Sequence, residues 1–428
     1  MEIDAGYGDN IINPKLPCYL TGYGIYLERK AYSIMDDLKV RAVFLKDKDG
    51  NKILIISFDL IGFSVDFSDI LRKSISSKFK IPFQNIFISC THTHSGPPTL
   101  ELRGMGKPDI SYMKSLKEKT EIAVEKAISE SGKADGKWII EEIEPIGFNR
   151  AKKSLEPVDT HLGIIIFQKN TEKIYIINYS CHPVTLGINH EISADFPGKL
   201  IREIENKGDR GIFLQGFCGD IDPFINKVKW GSGTEDDVNF YGRHIFMRLL
   251  KLEKEGIPFK NSSISSIEKR IRIPLQIKSE KELEDEKNYF LNLYKDKGEK
   301  YTRFFEEWFE ESLRKISGLK ENPYLEKVPI NVINIGEMKL VGYPGEVFCE
   351  MGLSLREKFS PLFPCGYANG NIGYIPTKKA YMNKKDYACY FAPLFYNCFP
   401  FSPEIEDIFL KETESILKKG EEDGKTCN

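Results

Sequence analysis

The sequence lacks the long apolar runs, the paired cysteines and the excess of one charge that mark several classes of protein. No segment approaches the roughly 20 apolar residues that a membrane-spanning helix needs, so we expect no membrane span. The 61 Lys and Arg residues balance 63 Asp and Glu residues to a net charge of −2, which argues against a protein built to bind nucleic acid. The nine cysteines are odd in number and include no Cys-x-x-Cys pair, which disfavours a disulfide framework or a zinc–thiolate finger.

The chain also lacks an internal repeat, a low-complexity tract and an obvious linker. Its first residues contain neither the basic region nor the apolar region of a signal peptide, so we expect a cytoplasmic location. A chain of 428 residues is long enough to bury a large core. We therefore predict a single domain over residues 1–428.

Strand and helix patterns alternate along the sequence. Strands are predicted at 40–45, 52–59, 85–90, 138–145, 162–168, 174–179 and 211–217, and helices at 67–79, at 112–131 and from Phe196 onward. This order favours the α/β class, with mixed β-sheets flanked by helices. Residues 278–320 differ in composition from the rest of the chain, because they are rich in charged residues and carry aromatic residues at helical spacing. This pattern predicts a charged helical insertion.

Histidine is scarce, and the few histidines are placed unevenly. The chain has six, and two of them, His92 and His94, follow directly after the predicted strand 85–90. Side chains at positions i and i+2 of an extended backbone point the same way, so both imidazoles are expected to face one cavity. His182 follows another apolar run and precedes a proline. Two strand ends that deliver histidines to loops indicate a metal site, although ordinary loop histidines remain the alternative.

Further polar groups come late in the chain. Glu346 follows an apolar strand and a Pro-Gly turn, and Tyr374 ends a loop rich in glycine and asparagine. Glu346 also suits the first turn of a helix, where acidic residues are favoured. Cys90 and Cys181 lie beside the key histidines, and we interpret them as packing residues rather than ligands.

Six motifs, taken together and in this order, resemble the neutral (non-lysosomal) ceramidases. They are Thr91–Pro97, Asn178–Gly187, Ser193–Gly198, Gln215–Asp220, Pro344–Glu346 and Asn369–Tyr374. The resemblance is to the family's catalytic domain. Its C-terminal immunoglobulin-like domain is expected to be missing, because this sequence ends too soon after the last motif.

The resemblance implies a zinc amidohydrolase that binds one Zn²⁺ per chain. The implied zinc ligands are His92, His182, Glu346 and Tyr374. The implied catalytic residues are His94, Arg150 and Tyr387. Two imidazole nitrogens with a carboxylate and a phenolate oxygen suit Zn²⁺ and leave room for water. Zinc lowers the pKa of bound water from ~15.7 to about 7, which suits attack on an amide carbonyl.

Several assignments stay open at this point. Asp59, Asp195 and Asp220 are candidates for orienting the ligand imidazoles, with turn or cap roles as the alternative. The substrate is expected to be a lipid such as ceramide or a smaller N-acyl compound, and the oligomeric state is left undefined. The aromatic segment 387–401 fits an acyl pocket, a core or a dimer contact. Two other functions are a metal-dependent phosphoesterase, which needs two metals about 4 Å apart, and a non-catalytic binding protein that keeps the metal.

Overall fold

The computed structural model describes residues 2–425, and side chains over residues 3–418. The strands in this part of the chain are β1 Glu2–Ile11, β2 Cys18–Tyr19, β3 Lys30–Ala31, β4 Ser33–Ile34, β5 Lys39–Lys46, β6 Lys52–Phe58, β7 Ile86–Cys90, β8 Gly132–Glu142, β9 Gly147–Asn149, β10 His161–Lys169, β11 Glu172–Tyr179, β12 Glu191–Ile192, β13 Arg210–Gln215, β14 Ile221–Pro223, β15 Ile257–Pro258, β16 Ile264–Pro274, β17 Tyr324–Ile335, β18 Met338–Gly342, β19 Glu346–Val347, β20 Leu362–Cys365 and β21 Tyr374–Ile375.

Helices connect and cover these strands. They are α1 Val65–Phe79, α2 Ile110–Ser129, α3 Asp195–Glu205, α4 Ile225–Val228, α5 Glu235–Leu252, α6 Glu280–Leu293, α7 Glu299–Glu321, α8 Cys349–Phe359, α9 Ala392–Phe395 and α10 Ile405–Lys425. Among the described residues, no helix combines the length and apolar character needed to cross a bilayer. The eight cysteines in this part of the chain are free thiols, and Cys427 lies outside it.

Two mixed sheets organise the fold. The larger has the strand order β13-β11-β10-β8-β1-β5-β6-β7, with β15 also paired to β8, and the smaller has the order β16-β17-β18-β20. Within the larger sheet, β6 and β7 run parallel, as do β11 and β13, whereas the pairs between them are antiparallel. The predicted α/β fold with mixed sheets is therefore confirmed.

The layers follow from strands that are apolar on both faces. In β10, Ile164 and Ile166 belong to the core between the larger sheet and helices α1, α2, α3 and α5, whereas Ile165 and Phe167 belong to the core between the two sheets. The alternation arises because successive strand residues point to opposite faces. A third core lies between the smaller sheet and helices α8 and α10. The sequence of layers is thus helices, sheet, sheet, helices.

The charged helical insertion predicted at 278–320 is confirmed as the helices α6 and α7. Its aromatic side chains, including Phe290, Phe305 and Trp308, pack with residues of the segment 391–399. Glu307 and Glu311 of α7 are hydrogen-bonded to Tyr26 at 2.5 Å and to Arg103 at 2.8 Å. The insertion is therefore tied to the loops that carry Tyr26 and Arg103 and to the segment 391–399.

The core between the two sheets gives a stability prediction. Leu340 in β18 is fully buried there, so Leu340→Ala removes contacts from both sheets and leaves a cavity. We expect a loss of about 2–5 kcal/mol in the free energy of unfolding, measured by urea denaturation. The matched control is Leu293→Ala at a side chain that is 57% exposed, with an expected change within about 0.5 kcal/mol. Equal losses in the two variants would contradict the described packing.

Candidate metal centre and its cavity

The loops that carry the two key histidines are tied together by one buried amide. Gln215 is the last residue of β13, and its Nε2 donates to the backbone oxygens of Thr91 at 3.0 Å and of Cys181 at 2.9 Å. Each of these residues immediately precedes a candidate ligand, His92 or His182. The ends of β7, β11 and β13 therefore meet at one place in the fold, and the histidines are brought there from distant parts of the sequence.

Backbone carbonyls hold both imidazole rings. Nδ1 of His92 lies 2.6 Å from the oxygen of Ile61, and Nδ1 of His182 lies 3.1 Å from the oxygen of Ile221. With each Nδ1 occupied in this way, the Nε2 atoms are the ones directed at the centre. His92 has a φ of 73°, a left-handed conformation that is uncommon outside glycine and that is concentrated at functional sites. His92 and His94 both line one cavity, but the backbone at His92 is left-handed and not extended as the sequence suggested.

A carboxylate completes the group. Oε2 of Glu346 lies 3.2 Å from Nε2 of His182 and 3.6 Å from Nε2 of His92. The ligand atoms of these three buried residues lie within 4.8 Å of one another, and they form a group that can hold a metal ion. Glu346 and Tyr374 are direct partners in the parallel pair β19–β21, so the phenol stands beside the carboxylate. The hydroxyl of Tyr396 donates to Oε1 of Glu346 and fixes its orientation.

The pKa values of the three candidate ligands are shifted in different directions. Burial lowers the pKa of His92 to about 4, and Glu346 offsets this only in part. Burial raises the pKa of Glu346, but His92 and His182 lower it to about 2, so the carboxylate is ionised. For His182 burial lowers the pKa, yet the Cys218 sulfur and the hydrogen bond to Glu346 raise it to about 10. Metal ligands bind in their deprotonated form, so a metal held by Nε2 of His182 would replace the hydrogen bond between this atom and Glu346.

The donor set fits a divalent cation such as zinc. Two imidazole nitrogens and one ionised carboxylate are ligands that Zn²⁺ accepts, and a three-residue protein shell with an open position is typical of catalytic zinc sites. Tyr374 offers a fourth oxygen next to Glu346. Its hydroxyl accepts a hydrogen bond from Nη2 of Arg150 at 2.6 Å, but burial outweighs this contact and raises the pKa of the phenol well above its usual value. Tyr374 as a ligand stays a prediction.

His92, Glu346 and Tyr374 line a cavity of about 590 Å³. The half-buried His94 lines it, and both of its ring nitrogens are shielded from solvent and without a hydrogen-bond partner among the described side chains and backbone. Burial lowers the pKa of His94 well below its usual value, with His92 and His182 adding to the effect, so the ring is neutral. Apolar residues form much of the remaining wall: Ile61, Leu102, Met105, Phe348, Ala388 and Phe395.

Comparison with solved structures identifies the architecture. The crystal structure of neutral ceramidase from Pseudomonas aeruginosa matches with a TM-score of 0.73 and 18% sequence identity, over 96% of this chain and 73% of that one. A structure of a ceramidase complexed with C2 matches with a TM-score of 0.75 and 14% identity, over 96% of this chain and 74% of that one. No family model and no curated protein matches the sequence.

The chain has a neutral-ceramidase-like fold.

The other predicted catalytic residues also face this cavity of the ceramidase-like fold. Arg150 donates from Nη1 to Asp222 at 3.1 Å and from Nη2 to the oxygen of Gly219 at 2.7 Å, in addition to Tyr374. Tyr387 lines the cavity with its ring centroid 5.7 Å from that of Tyr374. The aromatic segment 387–401 contributes both to the cavity and to a core. Tyr387, Phe395 and Tyr396 line the cavity, and Leu394 and Phe399 pack in the core formed with helices α6 and α7. Their roles in catalysis stay predictions.

The three predicted orienting aspartates hold backbone and other side chains. Asp59 accepts hydrogen bonds from the Lys39 amide and from Arg41. The other two accept from groups near the histidine and arginine loops: Asp195 from the amides of Thr185 and Leu186, and Asp220 from Asn149 and the Cys349 amide. In the described part of the chain these carboxylates position the loops, and the rings are oriented by carbonyls of Ile61 and Ile221.

Some functional contacts escaped the sequence reasoning. Gln215 lies in the motif Gln215–Asp220 and Asp222 lies two residues after it, but the sequence predicts no role for either side chain. Tyr396 contacts Glu346, and the ring of Tyr367 stacks on His92 with the centroids 4.1 Å apart. A tyrosine in an aromatic-rich segment gives no signal of such a contact, because most aromatic residues in such a segment are simply buried.

The two hydrogen bonds that Gln215 donates to the histidine loops lead to a testable prediction. Gln215→Leu keeps the size of the side chain but leaves two buried carbonyls without a donor, so we expect a loss of about 1–3 kcal/mol in the free energy of unfolding. Zinc affinity is expected to fall roughly 10-fold, because both histidine loops lose their common anchor. Denaturant titration and zinc titration check the two effects.

Gln168→Leu is the matched control for this substitution. Nε2 of Gln168 also donates to two backbone oxygens, of Asn170 at 2.8 Å and of Glu172 at 3.3 Å, but at a hairpin of the larger sheet. This variant is expected to keep the zinc affinity of the unmodified protein. A Gln215→Leu protein with unchanged zinc affinity would contradict the anchoring role.

Proposed function

We propose that this protein is a zinc-dependent amidohydrolase that cleaves an N-acyl amide, either a ceramide-like lipid or a smaller N-acyl compound. The observation that carries the proposal is the meeting of His92, His182 and Glu346, whose ligand atoms lie within 4.8 Å of one another, at a cavity that His92 and Glu346 line and whose wall is largely apolar. The likeness to ceramidases supports the amide as the bond that is cleaved. His92, His182, Glu346 and Tyr374 would hold the metal.

A bound Zn²⁺ supplies a Lewis acid and a water whose pKa is lowered to about 7. The protein's own residues supply the rest. His94, whose ring nitrogens have no partner among the described residues, accepts a proton from the attacking water and delivers it to the leaving amine. Arg150 and the hydroxyl of Tyr387 donate hydrogen bonds to the substrate's oxygen, which gains negative charge as the carbonyl is attacked.

The cavity wall supports an acyl group as one half of the substrate. Leu102, Met105, Phe348 and Phe395 offer apolar surface to a hydrocarbon chain, and burial of each methylene contributes about 0.8 kcal/mol. The amide lies between this wall and the polar group of His94 and Arg150. The phosphoesterase alternative is less well supported, because within residues 3–418 the potential ligands form a single group of three instead of the two bridged sites such enzymes use.

Substitution of a ligand tests the proposal. His92→Ala removes one of two imidazole donors, so bound zinc, measured by mass spectrometry of the native protein, is expected to fall from one per chain to none. Release of free amine from short-chain and long-chain N-acyl compounds is expected to fall with it. The control is His190→Ala, at an exposed histidine bonded to the Lys30 oxygen, which should keep both zinc and turnover.

The same assay separates the alternatives. A wild-type protein that hydrolyses aryl phosphates and not N-acyl amides would favour the phosphoesterase. A protein that binds N-acyl compounds and zinc without turnover would be a binding protein. Higher activity on long acyl chains than on short ones would support a lipid substrate.

A second prediction concerns Arg150. Arg150→Lys retains the charge but loses the planar fork that reaches Asp222, Gly219 and Tyr374 at once, so kcat/KM for an N-acyl amide is expected to fall roughly 100-fold. Zinc content should stay at one per chain, because Arg150 is not a ligand. Arg210→Lys, at an exposed ion pair with Glu172, is the control that should leave kcat/KM unchanged. Loss of zinc from Arg150→Lys would contradict the assigned role.

A further inference from the structure

Three loops at the mouth of the cavity share an unusual surface composition. The loops, here called the rim loops, are residues 151–156, 227–230 and 382–387, and each contributes residues to the cavity lining. Each carries two lysines and at least one exposed apolar side chain. The exposed apolar residues and their exposed fractions are Leu155 51%, Val228 95%, Trp230 38%, Met382 83% and Tyr387 45%.

The charge of the rim loops is opposite to that of the chain. Their six lysines are Lys152, Lys153, Lys227, Lys229, Lys384 and Lys385, against the acids Glu156 and Asp386, whereas the whole chain has a net charge of −2. Asp386 is buried, and its carboxylate accepts a hydrogen bond from the Cys389 amide. Lys152 is paired with Glu350 at 2.6 Å. Within the described residues the other five lysines form no ion pair, so their charges are available.

We propose that the rim loops dock this protein on an anionic lipid surface, with the cavity mouth facing the lipid. Exposed apolar side chains interspersed with lysines are the composition of interfacial membrane-binding surfaces, since the apolar groups enter the headgroup region and the lysines contact acidic headgroups. A soluble anionic ligand accounts for the lysines alone, and it leaves Val228 and Met382 exposed to water.

The docking explains the position of the apolar cavity wall. A hydrocarbon chain that leaves a bilayer through the rim loops passes directly to the wall formed by Met105, Phe348 and Phe395 and avoids water. This second step rests on the proposed amidohydrolase function and selects a lipid as the substrate. The docking itself is measurable without turnover, so the two proposals fail separately.

The test is sedimentation of the protein with vesicles of phosphatidylcholine, alone or mixed equally with phosphatidylserine. The unmodified protein is expected to bind the mixed vesicles, and added salt should weaken the binding. The double variant Lys229→Gln, Lys384→Gln should bind roughly fivefold less tightly for each lysine removed. Val228→Ser with Met382→Ser should also reduce binding at least fivefold. None of these four residues lines the cavity.

Matched controls replace equally exposed residues elsewhere. Lys48→Gln with Lys73→Gln removes two exposed lysines, and Ile110→Ser with Met247→Ser removes two apolar side chains that are 73% and 62% exposed. Both control proteins should bind vesicles as the unmodified protein does. Binding that falls equally in rim and control variants, or that is absent in the unmodified protein, would overturn the docking.

A water-soluble short-chain N-acyl amide separates the remaining outcomes. If the rim variants hydrolyse it normally and lose activity only on vesicle-borne substrate, both proposals are supported. If the unmodified protein binds vesicles but cleaves no amide, the docking stands and the amidohydrolase proposal fails. If the lysine variant loses only affinity for a soluble anionic substrate, with vesicle binding unchanged, the rim binds soluble anions and the docking is wrong.

Discussion

The carbonyl oxygens of Ile61 and Ile221 hold the imidazoles of His92 and His182, and the centre is arranged around this constraint. Each carbonyl fixes one ring nitrogen and so leaves the other directed at Glu346. Such a contact holds only if the backbone of the loops is itself fixed, which is the part played by Gln215 and by buried carboxylates such as Asp195. The rings of His92 and His182 are thus satisfied by main-chain oxygens, whereas both nitrogens of His94 are left without a partner in the described residues.

The apolar half of the site depends on a different part of the chain. The helices α6 and α7 share an aromatic core with the segment 391–399, and this segment contributes both Phe395, on the cavity wall, and Tyr396, on Glu346. The insertion thus supports the wall and the carboxylate together. An aromatic core gives rigid support because its side chains have few rotatable bonds and bury large areas.

Much of the fold could be predicted from the sequence, because its strands and helices follow from the local spacing of apolar residues. The alternating apolar strands, the helices and the insertion follow from periodicity, and the candidate histidines follow from motifs placed directly after strands, whereas Glu346 and Tyr374 as ligands are implied only by the resemblance to neutral ceramidases. The contacts of Asp59 and Asp195 were not predictable in the same way, because a carboxylate near a ligand loop has many possible donors and only the fold selects among them. The link from Tyr396 to Glu346 joins residues 50 positions apart and leaves no trace in either local sequence.

The account is tested most directly by anomalous diffraction at the zinc absorption edge from crystals of the zinc-loaded protein. It predicts one strong peak per chain, about 2.0–2.2 Å from Nε2 of His92, Nε2 of His182 and a carboxylate oxygen of Glu346. A peak at any other place, or no peak while the protein still hydrolyses an N-acyl amide, would contradict the account.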